Sequence, residues 1–214
     1  MKLYYSQLSN YCAKVKFLID YKKINIKLVA PPGGYGSKIF KKIAPLGTIP
    51  TLKNKKNIIS ESEVINEYLN ELYPKPKMLS KDIEINSKIR LISKFHDTKL
   101  EPSIRYFFQF MKKLNYKNKY IKNGFLKLED NLNILEKLLN NTKFAASDKI
   151  SLADCPFPSF LALLNIFKDK FNGNIKLGIK SKKYFSTIKN DNFMSNQYNE
   201  YYEIALNWSK EKKT

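Results

Sequence analysis

A serine and a cysteine stand three residues apart near the start of the chain, in the segment Ser9-Asn10-Tyr11-Cys12. The segment lies between a predicted strand and a predicted helix. The start of a helix carries unpaired backbone N–H groups and a partial positive charge, which together stabilise a thiolate. Ser9 can donate a hydrogen bond to a thiolate that belongs to another molecule. The alternative for Ser9 is a loop or capping residue.

Cys12 occupies the second cysteine position of the C-x-x-C pattern that dithiol redox proteins place at such a helix start. Two interpretations stay open. Cys12 is either a reactive thiol that carries out thiol–disulfide exchange, or a buried thiol one turn into the helix that faces the core. With Cys155, the chain has two cysteines, too few for a disulfide scaffold, so we expect both thiols to be reduced.

Two further segments have the chemistry of a peptide-binding site. Pro50 opens a predicted strand, and a cis peptide bond there would leave the backbone of Ile49 open to an extended peptide. At the start of a predicted helix, Ser62 would face a carboxylate, and Glu61 would accept a hydrogen bond from an ammonium group. The pair suits the head group of an α-amino acid. The alternatives are an ordinary strand-entry proline and a simple helix cap.

Three other features are assigned structural roles. Ser151-Leu152-Ala153-Asp154 is an S-x-x-D variant of the capping box ahead of an apolar helix. His96, the single histidine, is followed by Asp97, but no serine or cysteine is spaced to complete a triad with them. The sequence also contains neither a cluster of metal-ligand residues nor a phosphate-binding loop, so no metal site is predicted.

The pattern of the first part of the chain is β-α-β-α-β-β-α, which predicts a mixed sheet flanked by helices. Strands are predicted over residues 2–5, 25–29, 48–52 and 57–59, and helices over residues 11–23, 38–42 and 61–72. Beyond the prolines at 74 and 76 the pattern is helical throughout, with helices predicted over residues 84–112, 125–139, 152–168 and 198–210. We therefore predict an α/β domain over residues 1–75, a linker over 76–83 and an all-α domain over 84–214.

The composition excludes several classes of protein. With 43% hydrophobic residues the chain can form a sizeable core, and no stretch approaches the roughly 20 apolar residues that a membrane helix needs. The N-terminal segment has no apolar core of a secretory signal, which predicts a cytoplasmic protein. The net charge of +20 suggests nucleic-acid binding, but the basic residues are spread along the whole chain. We therefore interpret the charge as a solvated surface, and expect neither a membrane nor a nucleic-acid partner.

Taken together, these motifs resemble a cytosolic-type glutathione transferase. The resemblance is carried by Ser9 with Cys12, by the segment 44–50 that reads APLGTIP, by the segment 61–65 that reads ESEVI, and by the capping box at Ser151. It covers essentially the whole chain and is greatest with bacterial members, of serine type or unclassified. A more remote likeness to the zeta, or maleylacetoacetate isomerase, group lacks that group's S-S-C pattern, so no isomerase activity is inferred.

The resemblance implies a thioredoxin-like N-terminal domain, an all-α C-terminal domain, a homodimer and glutathione as cosubstrate. It implies that Ser9 activates the glutathione thiol for attack on a hydrophobic electrophile, a detoxification chemistry. Ile49 and cis-Pro50 would pair with the cysteinyl part of glutathione, while Glu61 and Ser62 would hold its γ-glutamyl head. Tyr106, Phe107 and Phe108 are candidates to line the electrophile site, or else belong to the core. A Cys12-dependent exchange enzyme and a non-catalytic binding module are the alternatives.

Overall fold

The computed structural model describes residues 1–111 and 117–210, and the chain divides into two compact units, Met1–Met78 and Leu79–Thr214. The boundary between the units falls inside the segment that the sequence analysis assigns to the linker. The predicted end of the helix over residues 84–112, at Lys112, lies outside the described residues.

The first unit is a four-stranded mixed sheet with three helices. Its strands are β1 (Lys2–Tyr4), β2 (Lys27–Val29), β3 (Thr51–Asn54) and β4 (Asn57–Ser60), in the order β2-β1-β3-β4. β1 pairs with β2 in parallel and with β3 antiparallel, and β3 pairs antiparallel with β4. The helices are α1 (Asn10–Tyr21), α2 (Lys38–Lys41) and α3 (Ser62–Leu72). The element order and the mixed sheet are as predicted.

Two details of the first unit differ from the predicted pattern. Leu28 is exposed, because β2 is an edge strand of only three residues. On α3, the apolar side chains of Val64 and Leu72 are also exposed. The buried face of this helix mixes two apolar residues, Ile65 and Leu69, with polar ones, which a hydrophobicity pattern alone does not reveal.

The second unit is helical. Its α-helices are α4 (Ile83–Phe95), α5 (Glu101–Arg105), α6 (Asn118–Leu138), α7 (Phe157–Phe171), α8 (Ile179–Asn190) and α9 (Asn192–Lys210). A π-helix, His96–Leu100, joins α4 to α5, and 3₁₀ turns cover Tyr106–Phe110 and Leu152–Asp154. The sequence pattern predicted one unbroken helix from residue 84 and missed α8. Pro102 lacks an N–H to donate to the preceding turn, which accounts for the wider turn just before it.

Candidate glutathione-binding site

The register of the sheet brings three of the predicted segments to one end of it. Tyr4, the last residue of β1, pairs with Thr51, the first residue of β3, and Thr51 pairs with Ser60, the last residue of β4. The residues next to these three positions therefore leave the sheet side by side. They are the loop that leads to Ser9, the pair Ile49-Pro50, and the pair Glu61-Ser62.

A side-chain hydrogen bond joins two of these chain segments. The Thr51 hydroxyl lies 3.0 Å from the Ser60 hydroxyl and donates to the Thr48 carbonyl at 2.7 Å. The Ile49–Pro50 peptide bond is cis, as predicted. Ile49 packs on a small core of Tyr4, Phe40 and Ala44, and this apolar contact stabilises the turn before β3.

Ser9 begins α1 and caps it. Its backbone is extended, with φ −78° and ψ 118°, and its Oγ accepts a hydrogen bond from the Cys12 N–H at 3.3 Å. Such a cap stabilises the helix start. It uses a lone pair of the oxygen, and a serine hydroxyl still has one hydrogen to donate. Ser9 is half-buried, so the residue is not enclosed by the cap.

Of the two interpretations of Cys12, the structure supports the buried thiol that faces the core. Its side chain has no exposed surface, and both it and Cys155 are free cysteines. Burial raises the pKa of the Cys12 thiol from 9.0 to about 11, although hydrogen bonds from Ser9 and from the Ser6 backbone act in the opposite direction. The thiolate is the nucleophile in exchange chemistry, and this environment disfavours it. The geometry therefore gives no support to a Cys12-dependent exchange enzyme.

The start of α3 has an unusual backbone. Glu61 has φ +69° and ψ 119°, a left-handed φ that non-glycine residues seldom adopt. Conformations of this kind are costly and cluster at ligand-binding sites. Ser62 follows as the first helical residue and is buried, and no side chain of the described residues caps the helix. The start of a helix can bind an anionic group through its first backbone N–H groups.

An ion pair that the sequence analysis missed connects the first turns of α1 and α3. Lys14 of α1 has a fully buried side chain and forms an ion pair with Glu63 of α3, one residue beyond Ser62. The Asn66 amide also donates to the Lys14 carbonyl at 3.4 Å. In a chain this rich in lysine, nothing in the sequence marks Lys14 as buried. The pair fixes the helix that follows Ser9 against the helix that begins at Ser62.

Asn10, directly after Ser9, is a third residue of this helix start that could contact the thiol of glutathione. Its side chain is buried, and neither its amide nitrogen nor its amide oxygen has a hydrogen-bond partner among the described residues. Buried polar groups are normally paired, so an unpaired amide beside Ser9 is a notable local cost. It distinguishes this helix start from an ordinary cap.

The capping box of the second unit is confirmed and is fully bonded. Asp154 is buried and accepts hydrogen bonds from the backbone N–H groups of Ala145 (3.0 Å) and Ser151 (2.9 Å), and from the hydroxyls of Ser151 (2.9 Å) and Tyr184 (2.8 Å). Burial raises the pKa of the Asp154 carboxyl, against the effect of these hydrogen bonds. The arrangement is a structural one, as predicted.

Two of the remaining candidates of the second unit, Phe107 and His96, lie in its core, whereas Tyr106 and Phe108 are half-buried. Phe107 has no exposed surface and its ring packs on those of Phe125 and Phe167, with centroids 4.5 and 5.6 Å away. His96 is buried too, and its Nδ1 lies 3.0 Å from the Asp97 carboxylate. Phe107 is therefore a core residue, which is one of the two alternatives that the sequence left open for it.

The described residues contain neither a membrane-spanning helix nor a metal-binding cluster. Across residues 1–111 and 117–210, no helix is long and apolar enough to cross a membrane. No group of three or more histidine, cysteine or acidic side chains in these same ranges is arranged to hold a metal ion.

Comparison with known proteins shows a common family for both units. Residues 3–77 match the family model of the glutathione S-transferase N-terminal domain, and residues 86–189 match that of the C-terminal domain. The chain is 31% identical over 144 residues to maleylacetoacetate isomerase of Rattus norvegicus and 32% identical over 145 residues to glutathione S-transferase Z1 of Arabidopsis thaliana. Each match covers 64% of this chain and 62% of the relative, which is less than two thirds of the relative's length.

The fold is also similar to that of a solved glutathione transferase structure. The chain superposes on the apo form of human glutathione-S-transferase T1-1 with a TM-score of 0.83 and 21% identity, covering 99% of this chain and 91% of that one. An α/β unit with this sheet order, a helical second unit, and models of both family domains in chain order all agree. The chain belongs to the glutathione transferase family.

Proposed function

We propose that this protein is a glutathione S-transferase that activates the glutathione thiol for attack on an electrophilic small molecule. The single observation that carries the proposal is the convergence of Ser9, the Ile49-Pro50 turn and the Glu61-Ser62 helix start at one end of the sheet. These are the residues that the resemblance implies for glutathione. Membership of the family supports the same activity.

In this proposal glutathione is held as an extended peptide across the end of the sheet. The backbone of Ile49, before cis-Pro50, pairs with the cysteinyl part of glutathione. Ser62 and the first N–H groups of α3 receive the γ-glutamyl carboxylate at the positive end of the helix, while Glu61 accepts from the ammonium group. The strained backbone of Glu61 and the buried position of Ser62 fit a site that is formed before the ligand arrives.

Ser9 acts on the sulfur. Its hydroxyl oxygen is engaged by the Cys12 N–H, and its hydrogen is donated to the glutathione thiolate, which lowers the pKa of the thiol. The thiol proton leaves to solvent. With an aryl halide the sulfur–carbon bond forms, the carbon–halogen bond breaks, and the halide departs with the bonding electron pair. One hydrogen bond of this kind accounts for about one or two pKa units, since one unit is about 1.4 kcal/mol.

Several finer points belong to the same proposal. We extend it to a homodimer, because Val64 and Leu72 of α3 are 54% and 46% exposed and would be buried by a second copy. A cytoplasmic location, a detoxification role and the likeness to bacterial members stay predictions. The isomerase activity named for the rat relative is not carried over, because this chain lacks the S-S-C pattern of the isomerase group. Asn10 and Tyr11 separate Ser9 from Cys12 here.

The test is the steady-state conjugation of glutathione to a reactive aryl halide. We expect the wild-type chain to catalyse it, and Ser9→Ala to lower kcat/KM by more than about tenfold, the loss of one hydrogen bond to the reacting sulfur. Cys12→Ala is the matched control and should change kcat/KM by less than about threefold. Loss of activity in Cys12→Ala with Ser9→Ala unaffected would establish an exchange enzyme instead. A wild-type chain that binds glutathione but never turns over would be a binding module.

A further inference from the structure

The first unit separates its positive charges from its negative ones. Residues 21–60 contain nine lysines and no aspartate or glutamate. The four strands and α2 carry no acidic residue at all, so their charged side chains are all lysines. The acidic residues of the unit all lie on α1, on α3 or directly before α3, and they are Asp20, Glu61, Glu63, Glu67 and Glu71.

The helices α2 and α3 pack on opposite faces of the sheet. On one face the Tyr4 ring packs on the Phe40 ring of α2, with centroids 5.0 Å apart. Successive residues of a strand point to opposite faces, so Leu3 and its partner Leu52 point away from α2. Both leucines are fully buried, and α3 packs against β3 and β4. The acidic helix α3 therefore lies behind the sheet, and the α2 side is left with lysines alone.

Three lysines stand side by side on the α2 side of the sheet. Lys2 of β1 pairs with Lys27 of β2 and with Lys53 of β3, and paired residues of neighbouring strands point to the same face. Lys2 shares this face with Tyr4, and its ammonium lies 5.4 Å from the centroid of the Tyr4 ring. With four residues, α2 is only about 6 Å long. It leaves Lys27 exposed, and Lys2 and Lys53 half-buried.

The turn between β3 and β4 adds two exposed lysines at the same end of the strands. We call these five residues, Lys2, Lys27, Lys53, Lys55 and Lys56, the basic end. It lies at the other end of the strands from the candidate glutathione-binding site. Within the part of the chain that the structure describes, none of the five forms an ion pair. Like charges directly opposite each other destabilise a sheet, so the basic end is a cost to the fold.

We propose that the basic end binds the phosphate backbone of a nucleic acid, without preference for base sequence. The three paired lysines are set at the strand spacing of roughly 4.8 Å, which suits a ligand that repeats its negative charge along a chain. Lysine is a point charge on a flexible stem, whereas the planar guanidinium of arginine gives directional recognition. The two arginines of the chain, Arg90 and Arg105, both lie in the second unit. The basic end therefore recognises charge rather than base edges.

Two other anionic partners fit the basic end less well. The centre of a protein–protein interface is rich in aromatic, methionine and arginine side chains and poor in lysine. A bilayer surface takes up apolar side chains beside the basic ones, but the exposed Leu28 of β2 pairs with Leu3 and so points to the opposite face. The sequence analysis interpreted the charge as a solvated surface because it shows how many lysines there are, and not which of them the sheet brings together.

The proposal is tested by the fluorescence anisotropy of a labelled DNA duplex titrated with the full-length chain at several salt concentrations. We expect saturable binding that weakens linearly with salt on a double logarithmic plot, and equal affinity for a duplex of unrelated sequence. Combining Lys2→Gln, Lys27→Gln and Lys53→Gln should weaken binding by more than about tenfold. It should also make the salt slope shallower by about 2.7, since each lost phosphate contact accounts for about 0.9. No saturable binding of the duplex by the wild type overturns the proposal.

A control of equal net charge separates the basic end from the overall charge of +20. It combines Lys119→Gln, Lys122→Gln and Lys127→Gln, at three exposed lysines of α6, and should bind the duplex within about threefold of the wild type. Equal weakening in the two triple variants would show that only the overall charge matters, and overturns the proposal.

A second test variant and two competing ligands complete the experiment. Lys55→Gln with Lys56→Gln, in an exposed turn, should weaken binding in the same direction, and unchanged affinity in both test variants overturns the proposal. Removing lysines that repel one another should not lower the free energy of unfolding in urea, so weaker binding reports lost charge and not lost structure. Tighter binding to phosphatidylserine vesicles or to polyglutamate than to the duplex would assign the basic end to a membrane or to an acidic protein, and overturns the proposal.

Discussion

Two helix starts in this molecule share a serine and a fourth residue that could bond back to it, Ser9 with Cys12 and Ser151 with Asp154. In both, the serine side chain accepts from the backbone N–H three residues on. In the second, the fourth residue completes the box, and Asp154 accepts four hydrogen bonds. In the first, the fourth residue is a thiol whose pKa is raised by burial, and the serine keeps part of its surface exposed.

The difference between them separates a structural cap from a candidate for chemistry. At Ser151 every polar atom is engaged inside a buried network, so no group is left for a ligand. At Ser9 the hydroxyl oxygen caps the helix, the buried Asn10 amide beside it has no hydrogen-bond partner among the described residues, and the sheet brings two more of the predicted site segments to the same end. A helix cap whose polar groups are all hydrogen-bonded contributes stability. A cap with unpaired polar groups beside it, at the end of a sheet, is a candidate for ligand binding.

The largest expected effect comes from breaking the saturated cap. Asp154→Ala leaves four donors, on Ala145, Ser151 and Tyr184, without their acceptor inside the core. We expect the free energy of unfolding in urea to fall by about 3–5 kcal/mol. The control is Asp130→Ala, at an exposed position, with a change within about 0.5 kcal/mol. A loss below about 1 kcal/mol in Asp154→Ala would show that the network is not what stabilises this unit.

A smaller effect on stability is expected from the Cys12 thiol at the helix start capped by Ser9. The pKa of Cys12 is about 11 in the folded chain against 9.0 as the ordinary value, so the folded state retains the proton longer than the unfolded state does. This stabilisation is fully present below pH 9 and is lost as the pH rises towards 11. Between pH 9 and pH 11 we expect the free energy of unfolding, measured in urea, to fall by about 2 kcal/mol less in Cys12→Ala than in the wild type. Parallel alkaline decreases in both proteins would contradict a buried, neutral Cys12.

The helix start at α3 should affect ligand affinity rather than stability. In the proposed site, Ser62→Ala and Glu61→Ala would each remove a hydrogen bond to the charged head of glutathione, so we expect binding measured by calorimetry to weaken by about 1–3 kcal/mol. Glu71→Ala, at an exposed position at the other end of the same helix, is the matched control and should bind normally. Unchanged affinity in both test variants would remove Glu61 and Ser62 from the site.

Much of the first unit could be predicted from sequence because its signals are local. The short helix predicted over residues 38–42 and the proline at a strand entry depend on neighbours within a few residues, and the structure has α2 over Lys38–Lys41 and a cis Ile49–Pro50 bond. The order of strands and helices along the chain followed from the alternation of short strand patterns with helical ones. The ends of the elements moved by one to three residues, as in β3, which begins at Thr51.

The features that the sequence did not predict depend on residues far apart in the chain. The Lys14–Glu63 ion pair joins positions in different helices, and lysine in a helix pattern is ordinarily exposed. The unpaired amide of Asn10 is visible only once its surroundings are known. The wide turn at His96–Leu100 arises because Pro102 interrupts one helix without ending it, whereas a pattern of apolar positions continues smoothly across it.

In the proposed function, Ser9 activates a thiol brought by glutathione. The most direct measurement is the pH titration of bound glutathione, followed by the ultraviolet absorbance of its thiolate, in the wild type and in Ser9→Ala. We predict that the wild type lowers the pKa of the bound thiol and that Ser9→Ala raises it by about one to two units, with Cys12→Ala like the wild type. An identical thiol pKa in wild type and Ser9→Ala, with glutathione bound in both, would contradict the claim.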